Sequence, residues 1–545
     1  MKTNVSLCIA AALMVAACGD PSHRHNSGEK VSVINSTPDE VIEEDVEITS
    51  NEAALMEPSA NATSKMILSS PPQQRNAETY KEIKENSFVA VAQQPVTTFS
   101  ADVDRAAYAN VRRIIGYGQI PPKDAVRIEE MVNYFDYDYP APEEGSVSPL
   151  RVSPELAPAP WNPNHLLLRI GLQAKKIDLA QAPPSNIVFL IDVSGSMDEE
   201  NKLPLLKSSF KMLLGQLRPD DKIAIVTYAN GTKVALPSTS VKDKEKIIKV
   251  LDNLYASGGT SGGRGIQLAY EQAQKSFIKN GNNRIILATD GDFNIGINNT
   301  TDLEKFIEKQ RESGIYMSVL GFGIGNYRDD MAETIADKGN GNYAYIDNIT
   351  EAKKVLVNEL SGTLFAVAKD VKLQLEFNPK YVKEYKLIGY ENRMLANEDF
   401  TNDKKDAGEI GAGHTVTALY ELVPSDGKVA QSLRYQSQEL NEKGKGNELG
   451  FLKIRYKDPK VKDAKSVEIT EPLVFNKKAL KETSTDYRFA ASVAEFGILL
   501  RDNSNKANAT YDQVIELAEG AIGKDPEGYR KEFVRLVKSV KMLPK

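Results

Sequence analysis

The chain has 545 residues, a formal net charge of −7, four histidines and two cysteines. This length predicts two or three domains with separate cores. The acidic balance, with no basic stripe carrying interleaved aromatic residues, argues against a nucleic-acid partner. Because Cys8 and Cys18 both lie near the N-terminus, the folded part has no cysteine nucleophile, disulfide framework or zinc cluster.

Residues 1–17 are typical of a signal peptide. Lys2 precedes a mostly apolar run from Val5 to Ala17, which is too short for a membrane span of about 20 residues. The ending Val15-Ala-Ala-Cys18 resembles the bacterial lipobox, which implies cleavage before Cys18 and lipid attachment to its thiol. Several acyl chains on one residue give lasting attachment. We therefore expect a lipid-anchored protein of the bacterial cell envelope, periplasmic or surface-exposed. The alternatives are an ordinary secretory signal with an incidental cysteine and a cytosolic protein with an apolar start.

Residues 18–95 have the composition of a disordered tether. They are rich in Ser, Pro, Asn, Glu and Ala, contain few aromatic residues, and include the acidic stretch PDEVIEEDVEITSNE. Such a segment cannot bury enough apolar surface to offset the entropy of ordering. We expect it to separate the folded part from the membrane.

Residues 96–183 predict a helical segment followed by the first strands of a sandwich. Ala106, Val111, Ile114 and Ile115 have helical spacing on one face, and a second helix follows in DAVRIEEMVNYF. The aromatic run 134–139 is expected to pack against a neighbouring domain rather than to stack on a ligand.

Residues 184–370 predict an α/β domain with a doubly wound, mostly parallel sheet. Six strands alternate with helices, and several strands are nearly continuous Ile, Val and Leu, which is expected when helices cover both faces of a sheet. Gly231-Thr232 suits a hairpin, so one edge strand is expected to be antiparallel.

The segments on either side of this domain alternate apolar and polar residues. LRVSPELAP and HLLLRIGLQAKKI lie before it, and several similar runs lie within 371–478. This pattern is typical of half-buried antiparallel strands. We predict that the α/β domain is inserted in or flanked by an antiparallel β-sandwich, and that 479–545 form a helical C-terminal region.

Three segments of the α/β domain carry the chemistry. Asp192, Ser194 and Ser196 follow the buried strand NIVFLI, Thr260 lies in the glycine-rich stretch SGGTSGGRG, and Asp290 ends the strand RIILAT. Ligands of open α/β sheets bind beyond the carboxyl ends of the strands. Oxygen-only ligands suit a hard divalent cation, for which Mg²⁺ is the first choice and Ca²⁺ and Mn²⁺ are alternatives.

This trio resembles the metal-ion-dependent adhesion site of von Willebrand factor type A domains, Asp-x-Ser-x-Ser followed by Thr and Asp. The flanking regions resemble the YfbK-like family of bacterial von Willebrand factor type A lipoproteins. The resemblance implies that Ser194 and Ser196 bind the metal directly and Thr260 directly or through water. It implies that Asp192 and Asp290 act largely through water or through the hydroxyl ligands.

The resemblance also implies loop shifts on binding, often with movement of the last helix of the domain. Here that helix is expected from about Thr350 to Lys369. Its movement could report ligand occupancy to the flanking domains.

Enzyme signatures are incomplete in this sequence. GGTSGGRG has no Lys-Ser or Lys-Thr for a phosphate loop, Asn326 replaces the third glycine of a dinucleotide fingerprint, and Ser194 stands where a haloacid dehalogenase has its second acid. His23 and His25 fall in the tether, and His165 and His414 are expected to be solvated at strand edges.

Three functions follow from these patterns. The first is a membrane-anchored, non-enzymatic binding protein whose bound metal grips the carboxylate of an Asp or Glu on an unidentified envelope protein. The second is a metal-assisted hydrolase of the cell envelope, with Asp292 or Asp198 as its base. The third is a scaffold whose metal site is not used.

Overall fold

The computed structural model describes eight stretches of the chain: 78–101, 104–260, 263–291, 300–325, 327–426, 446–461, 464–502 and 506–544. The predicted signal peptide, Cys18 and the tether up to residue 77 lie outside these stretches. Within them, no helix is both long and apolar enough to cross a membrane.

The elements of the described chain are numbered here in chain order. The strands are β1 Val89–Ala90, β2 Val96–Ser100, β3 Leu150–Ala159, β4 Asn162–Ala174, β5 Ser185–Asp192, β6 Lys222–Tyr228, β7 Thr232–Ser240, β8 Asn282–Thr289, β9 Ile315–Gly321, β10 Tyr343–Tyr345, β11 Ala366–Phe377, β12 Val382–Ile388, β13 Gly408–Gly411, β14 Thr415–Pro424, β15 Glu448–Lys457 and β16 Val467–Val474. The α-helices are α1 Ala106–Gly116, α2 Ile128–Asn133, α3 Leu203–Gln216, α4 Lys244–Asp252, α5 Gly263–Lys275, α6 Thr300–Arg311, α7 Asp329–Lys338, α8 Ile349–Lys353, α9 Leu360–Leu364, α10 Thr485–Leu500, α11 Tyr511–Glu519 and α12 Tyr529–Met542.

The α/β domain is built on a sheet whose described strands run in the order β10-β9-β8-β5-β6-β7. All neighbouring pairs are parallel except β6 and β7, which form the predicted antiparallel edge. Every residue of β5 and β8 is buried, because helices cover both faces of the sheet. The predicted doubly wound fold is confirmed.

The sandwich combines strands from both sides of the α/β domain. One sheet has the order β1-β12-β14-β4-β3, and the other contains β13-β11-β15-β16 with β2 on β11. β14 pairs antiparallel with β4, so strands that follow the α/β domain complete a sheet begun before it. Leu168 of the first sheet and Leu373 of the second lie in one apolar core. The α/β domain is therefore an insertion, as predicted.

The N-terminal helices pack against the C-terminal helices. Tyr134 stacks on Tyr108 with ring centroids 4.1 Å apart, and Phe135 lies 4.9 Å from Phe489 and 5.7 Å from Phe533. These rings belong to one buried cluster. The predicted packing role of the aromatic run 134–139 is confirmed: Phe135 packs against α10 and α12, and Tyr139 packs against the sandwich, where Arg169 lies over its ring.

The predicted tether, 18–95, is corrected at its C-terminal end. Residues 78–95 belong to the folded unit: β1 pairs with β12, and Glu78 forms a 2.8 Å ion pair with Arg113. Val91 is buried in the sandwich core. The prediction rested on the average composition of residues 18–95, which is polar although the stretch around β1 and Val91 is apolar. This stretch becomes ordered because β1 forms backbone hydrogen bonds with β12 at the edge of the sandwich.

The last helix of the α/β domain also differs from its prediction. Its α-helical turns α8 and α9 are separated by a π-helical turn, Lys354–Asn358, and the chain then enters β11 at Ala366. Residues 366–369 are therefore strand rather than helix. The amide of Ala412 donates to the carbonyl of Phe365, which ties the end of the helix to the β-sandwich.

Candidate metal centre

The three predicted segments meet at the carboxyl edge of the α/β sheet. β5 lies between β6 and β8, so Asp192 at its end and Asp290 after β8 project at the same edge. The amide of Ser257 donates to the carbonyl of Val193 at 2.8 Å, and Gly195 donates to Gly258 at 2.8 Å. These bonds hold the glycine-rich loop against the first segment.

The loop requires glycine at position 258. Gly258 has a φ of +78°, and a Cβ there would lie 2.4 Å from the side-chain nitrogen of Asn230. The side-chain oxygen of Asn230 accepts from the amide of Gly259 at 2.6 Å. The close contact between the Asn230 side chain and the backbone of Gly258 and Gly259 fixes the path of the loop. Thr260, which is half-buried, is the next residue in the chain.

Asp192 is fully buried and has one unsatisfied oxygen. Its Oδ1 accepts from the amide of Ser194 at 2.8 Å, whereas Oδ2 has no hydrogen-bond partner among the described residues. Burial, assisted by the nearby charge of Asp290 and opposed by the bonds from Ser194, raises the pKa of Asp192 to about 6. A buried, unpaired carboxylate oxygen costs roughly 1–3 kcal/mol or more, which a cation or a cation-bound water would offset.

The two serines present adjacent hydroxyls. Ser194 Oγ and Ser196 Oγ lie 3.0 Å apart at the short 3₁₀ turn Gly195–Asp198. Neighbouring oxygens around an octahedral Mg²⁺ are separated by about 3 Å, since the Mg–O distance is about 2.1 Å. The donor set of hydroxyls and carboxylates fits a hard divalent ion in chemistry, and the two serine hydroxyls also fit it in spacing.

Sequence reasoning missed Lys202. This residue is buried, and its ammonium donates to the carbonyl of Ser196 at 2.9 Å and to Asp290 Oδ2 at 3.2 Å. Among the described residues it makes no hydrogen bond to Asp192 or to the serine hydroxyls. Lys202 is the N-cap of α3, where the helix dipole disfavours a cation. A lysine at an unfavourable helix N-cap could have indicated, from sequence alone, that Lys202 pairs with a specific acidic residue.

A cavity of about 340 Å³ opens beside the glycine-rich loop. Tyr255 at its rim is 73% exposed. Its lining includes Val193, Asn230, Gly231, Lys233, Tyr255 and Ser257. This cavity gives the edge of the sheet a concave surface next to the predicted ligands.

Of the two candidate bases of the hydrolase alternative, Asp198 is exposed, and Asp292 lies outside the described residues. The expectation for the histidines is wrong: His165 is half-buried with Nδ1 2.6 Å from Glu421, and the buried Nε2 of His414 has no described partner. Burial lowers the pKa of His414 to about 3. Both lie in the sandwich region, because strand pairing around β4 and β14 encloses them.

Comparison with known proteins agrees with this architecture. Residues 186–358 match the model described as von Willebrand factor type A domain, and 74–169 match one described as von Willebrand factor. Residues 362–543 match the model described as uncharacterized protein YfbK, C-terminal. The fold and its three loops define a von Willebrand factor type A domain protein.

The relatives give the family. The chain is 48% identical over 465 residues to uncharacterized protein YfbK of Escherichia coli (strain K12), which covers 84% of this chain and 80% of the relative. The chain belongs to the YfbK family. It is also 26% identical over 326 residues to uncharacterized protein sll0103 of Synechocystis sp., with coverage of 60% and 74%.

A solved structure of a von Willebrand factor type A protein from Catenulispora acidiphila aligns with 71% of this chain and 89% of its own, at 15% identity and a TM-score of 0.40.

Von Willebrand factor type A domains mediate protein–protein interaction or adhesion and often bind a divalent metal. Those two properties hold for the class to which the chain belongs.

Proposed function

We propose that this chain is a membrane-anchored binding protein of the bacterial cell envelope that grips an acidic group of a partner protein through a divalent metal. The observation that carries the proposal is the unsatisfied, buried Oδ2 of Asp192 beside two serine hydroxyls 3.0 Å apart. The anchor is the lipid on Cys18, in a segment outside the described residues. Mg²⁺ is the proposed ion, with Ca²⁺ and Mn²⁺ as alternatives.

The residues at this edge of the sheet would have different roles in binding the ion. The hydroxyls of Ser194, Ser196 and Thr260 would hold the ion, and Asp192 and Asp290 would hold its waters or orient the hydroxyls. When bound, the ion supplies positive charge and an exchangeable position for a carboxylate. The Lys202 ammonium beside Asp290 offsets the charge of that buried acid, and its other ionic partner, Glu199, is 55% exposed and screened by solvent. Among the buried groups, a bound divalent ion would therefore keep part of its positive charge for a partner.

Partner capture tests this proposal. We expect the full chain to retain an envelope protein from extract in Mg²⁺, and to release it when a chelator is added. Asp192→Ala should abolish capture, because it removes the buried carboxylate that organises the serine turn. The matched control is Asp243→Ala, an exposed acid on the same domain, which should capture normally. Retention of the partner by Asp192→Ala and in chelator would refute the metal-mediated mechanism.

Lys202 gives a second, independent prediction. Lys202→Met should lower the stability of the metal-free protein by about 3 kcal/mol, because it leaves a buried carboxylate without its cation. The same change should tighten Mg²⁺ binding about tenfold or more, which corresponds to about 1.4 kcal/mol, since a competing positive charge is gone. Thermal unfolding at a series of Mg²⁺ concentrations measures both effects.

The control for this measurement is Lys211→Met, in the same helix, whose surface ion pair with Asp252 is 39% and 49% exposed. It should change neither stability nor Mg²⁺ affinity appreciably. If the Mg²⁺ concentration that gives half of the stabilisation is the same in Lys202→Met and the wild-type chain, the charge of Lys202 does not affect a bound ion.

The hydrolase and the scaffold remain distinguishable alternatives. Turnover of ester, phosphate or glycan substrates that vanishes in Asp290→Ala would favour a metal-assisted hydrolase. Calorimetry in which the purified chain takes up no Mg²⁺, Ca²⁺ or Mn²⁺ would favour a scaffold.

A further inference from the structure

A second group of acids lies at a junction of three parts of the fold. Asp104 precedes α1, Glu130 lies in α2, and Glu333 lies in α7 of the α/β domain. All three are buried, with exposures of 5%, 3% and 3%. One carboxylate oxygen of each lies within 4.8 Å of the other two. These residues are distinct from those of the candidate metal centre.

Two arginines partly neutralise this junction. Arg127 pairs with Glu130 and, at 2.6 Å, with Asp329. Arg393, from the turn after β12, lies 3.0 Å from Asp104 and 3.5 Å from Glu333. The guanidinium groups therefore join the three parts, but they do not balance the charge.

The charge balance of the described junction is negative. Five carboxylates face two guanidiniums: Asp104, Glu130, Asp329, Glu333 and Asp337 against Arg127 and Arg393. The described carboxylates thus outnumber the described guanidiniums, and the exposed Lys81 contributes one positive charge from farther away. An excess of carboxylates over cations is costly in a buried place.

Glu333 supplies an observation independent of the charge count. Its Oε2 is buried and has no hydrogen-bond partner among the described residues. Its Oε1 has the 3.5 Å contact with Arg393, which is long for a hydrogen bond. A carboxylate this deeply buried and this poorly satisfied indicates a ligand that accepts oxygen donors.

The other two carboxylates are held in fixed orientations. The amide of Tyr343 donates to Asp104 Oδ1 at 2.9 Å, and the amide of Ala107 donates to Glu130 Oε2 at 2.9 Å. Arg127 Nη2 approaches the same Glu130 oxygen at 3.4 Å. Backbone bonds of this kind orient carboxylate ligands in metal sites.

We propose that Asp104, Glu130 and Glu333 bind a divalent cation of the Ca²⁺ class, which joins the N-terminal helices to the α/β domain. Two ligands of one ion are separated by at most twice the ion–oxygen distance, which is about 5 Å for Ca²⁺ and about 4 Å for Mg²⁺. Separations within 4.8 Å meet this limit for Ca²⁺. The flexible coordination geometry of Ca²⁺ also suits carboxylates from separate elements better than the near-ideal octahedron that Mg²⁺ requires. The ion would offset negative charge on these carboxylates.

Calorimetric titration of the full chain with Ca²⁺ tests the site, in an Asp192→Ala background that disables the first centre. We expect one equivalent of Ca²⁺ to bind and to raise the melting temperature. Adding Glu333→Gln, which keeps the shape and removes the charge, should weaken this binding about 100-fold, the upper range for disturbing a metal site's surroundings.

The control in the same background is Asp337→Asn. Asp337 shares Arg393 with the junction but does not belong to the three ligands, and its side chain is 31% exposed. It should bind Ca²⁺ normally. No Ca²⁺ uptake by Asp192→Ala, or equal uptake with and without Glu333→Gln, would overturn the proposal and leave protonation as the means of neutralising the junction.

Tb³⁺ luminescence tests the site without the Glu333→Gln substitution, so the proposal can be tested even if that variant does not fold. Tb³⁺, which occupies Ca²⁺ sites, should luminesce in the Asp192→Ala chain when tyrosine is excited. The phenol hydroxyl of Tyr343 donates to Asp329, the acid that shares Arg127 with Glu130, and its backbone amide donates to Asp104. Ca²⁺ should quench this emission at the concentration at which calorimetry shows binding. Absence of such emission would contradict the site. Partner capture is unaffected by either result, so this proposal and the adhesive function fail separately.

Discussion

Arg127→Met should lower the free energy of unfolding by about 3–5 kcal/mol, because it leaves two buried carboxylates without their shared cation. Arg127 is 2% exposed and pairs with Glu130 and Asp329, whose side chains are 3% and 0% exposed. Methionine keeps most of the apolar stem, so the loss reports the charge. Urea unfolding in chelator, followed by circular dichroism, measures it.

The control for Arg127 is Arg151→Met. Arg151 is 43% exposed, and its nearest acid, Glu143, is 84% exposed at 3.8 Å. That change should alter stability by less than about 0.5 kcal/mol. A loss below about 1 kcal/mol for Arg127→Met would mean that the buried carboxylates find other compensation, such as protons.

Glu495→Gln should stabilise the protein at pH 8 by roughly 3–4 kcal/mol. Glu495 lies fully buried in α10; the amide of Thr510 approaches its Oε1 at 3.4 Å, and its Oε2 has no described partner. Burial raises the pKa of Glu495 from 4.5 to about 8. The folded protein therefore holds a proton that the unfolded chain releases.

The direction of the pH dependence follows from this shift. As pH rises from about 4.5 to about 8, the unfolded state ionises freely while folded Glu495 stays protonated, so stability falls across this window and levels off above it. Glutamine is neutral at every pH and removes the slope. Melting temperatures measured from pH 4.5 to pH 8 should diverge progressively between the wild-type chain and Glu495→Gln.

The matched control is Glu516→Gln, an exposed glutamate on α11, which should follow the wild-type curve. A stabilisation by Glu495→Gln that is equal at pH 4.5 and pH 8 would assign the effect to packing rather than to ionisation.

Local patterns predicted the elements of this protein well. The Ile- and Val-rich strands, the antiparallel edge after Gly231 and the helical face of Val111 and Ile114 in α1 each depend on neighbours in sequence, so sequence patterns can predict them. The insertion of the α/β domain was also predictable, because alternating strands lie on both sides of it. The serine turn at Ser194 and Ser196 was predictable because its spacing is local.

Other features depend on contacts between distant residues. Arg127 meets Asp329 across 202 positions, and Lys202 meets Asp290 across 88. Such ion pairs leave no periodic signal, since only the folded chain decides which charges are buried together. The π-helical turn Lys354–Asn358 was missed for a similar reason: an apolar run is compatible with either helix type, and tertiary packing selects between them.

The insertion of the α/β domain has a mechanical consequence. The chain leaves the sandwich from β4 and re-enters it at β11, and these two strands belong to different sheets. β4 is held between β3 and β14, and β11 pairs with β2, β13 and β15. Tension applied to the α/β domain by a bound partner would thus divide between two ladders of hydrogen bonds, and we expect the embedded domain to resist extraction more strongly than one joined through a single linker.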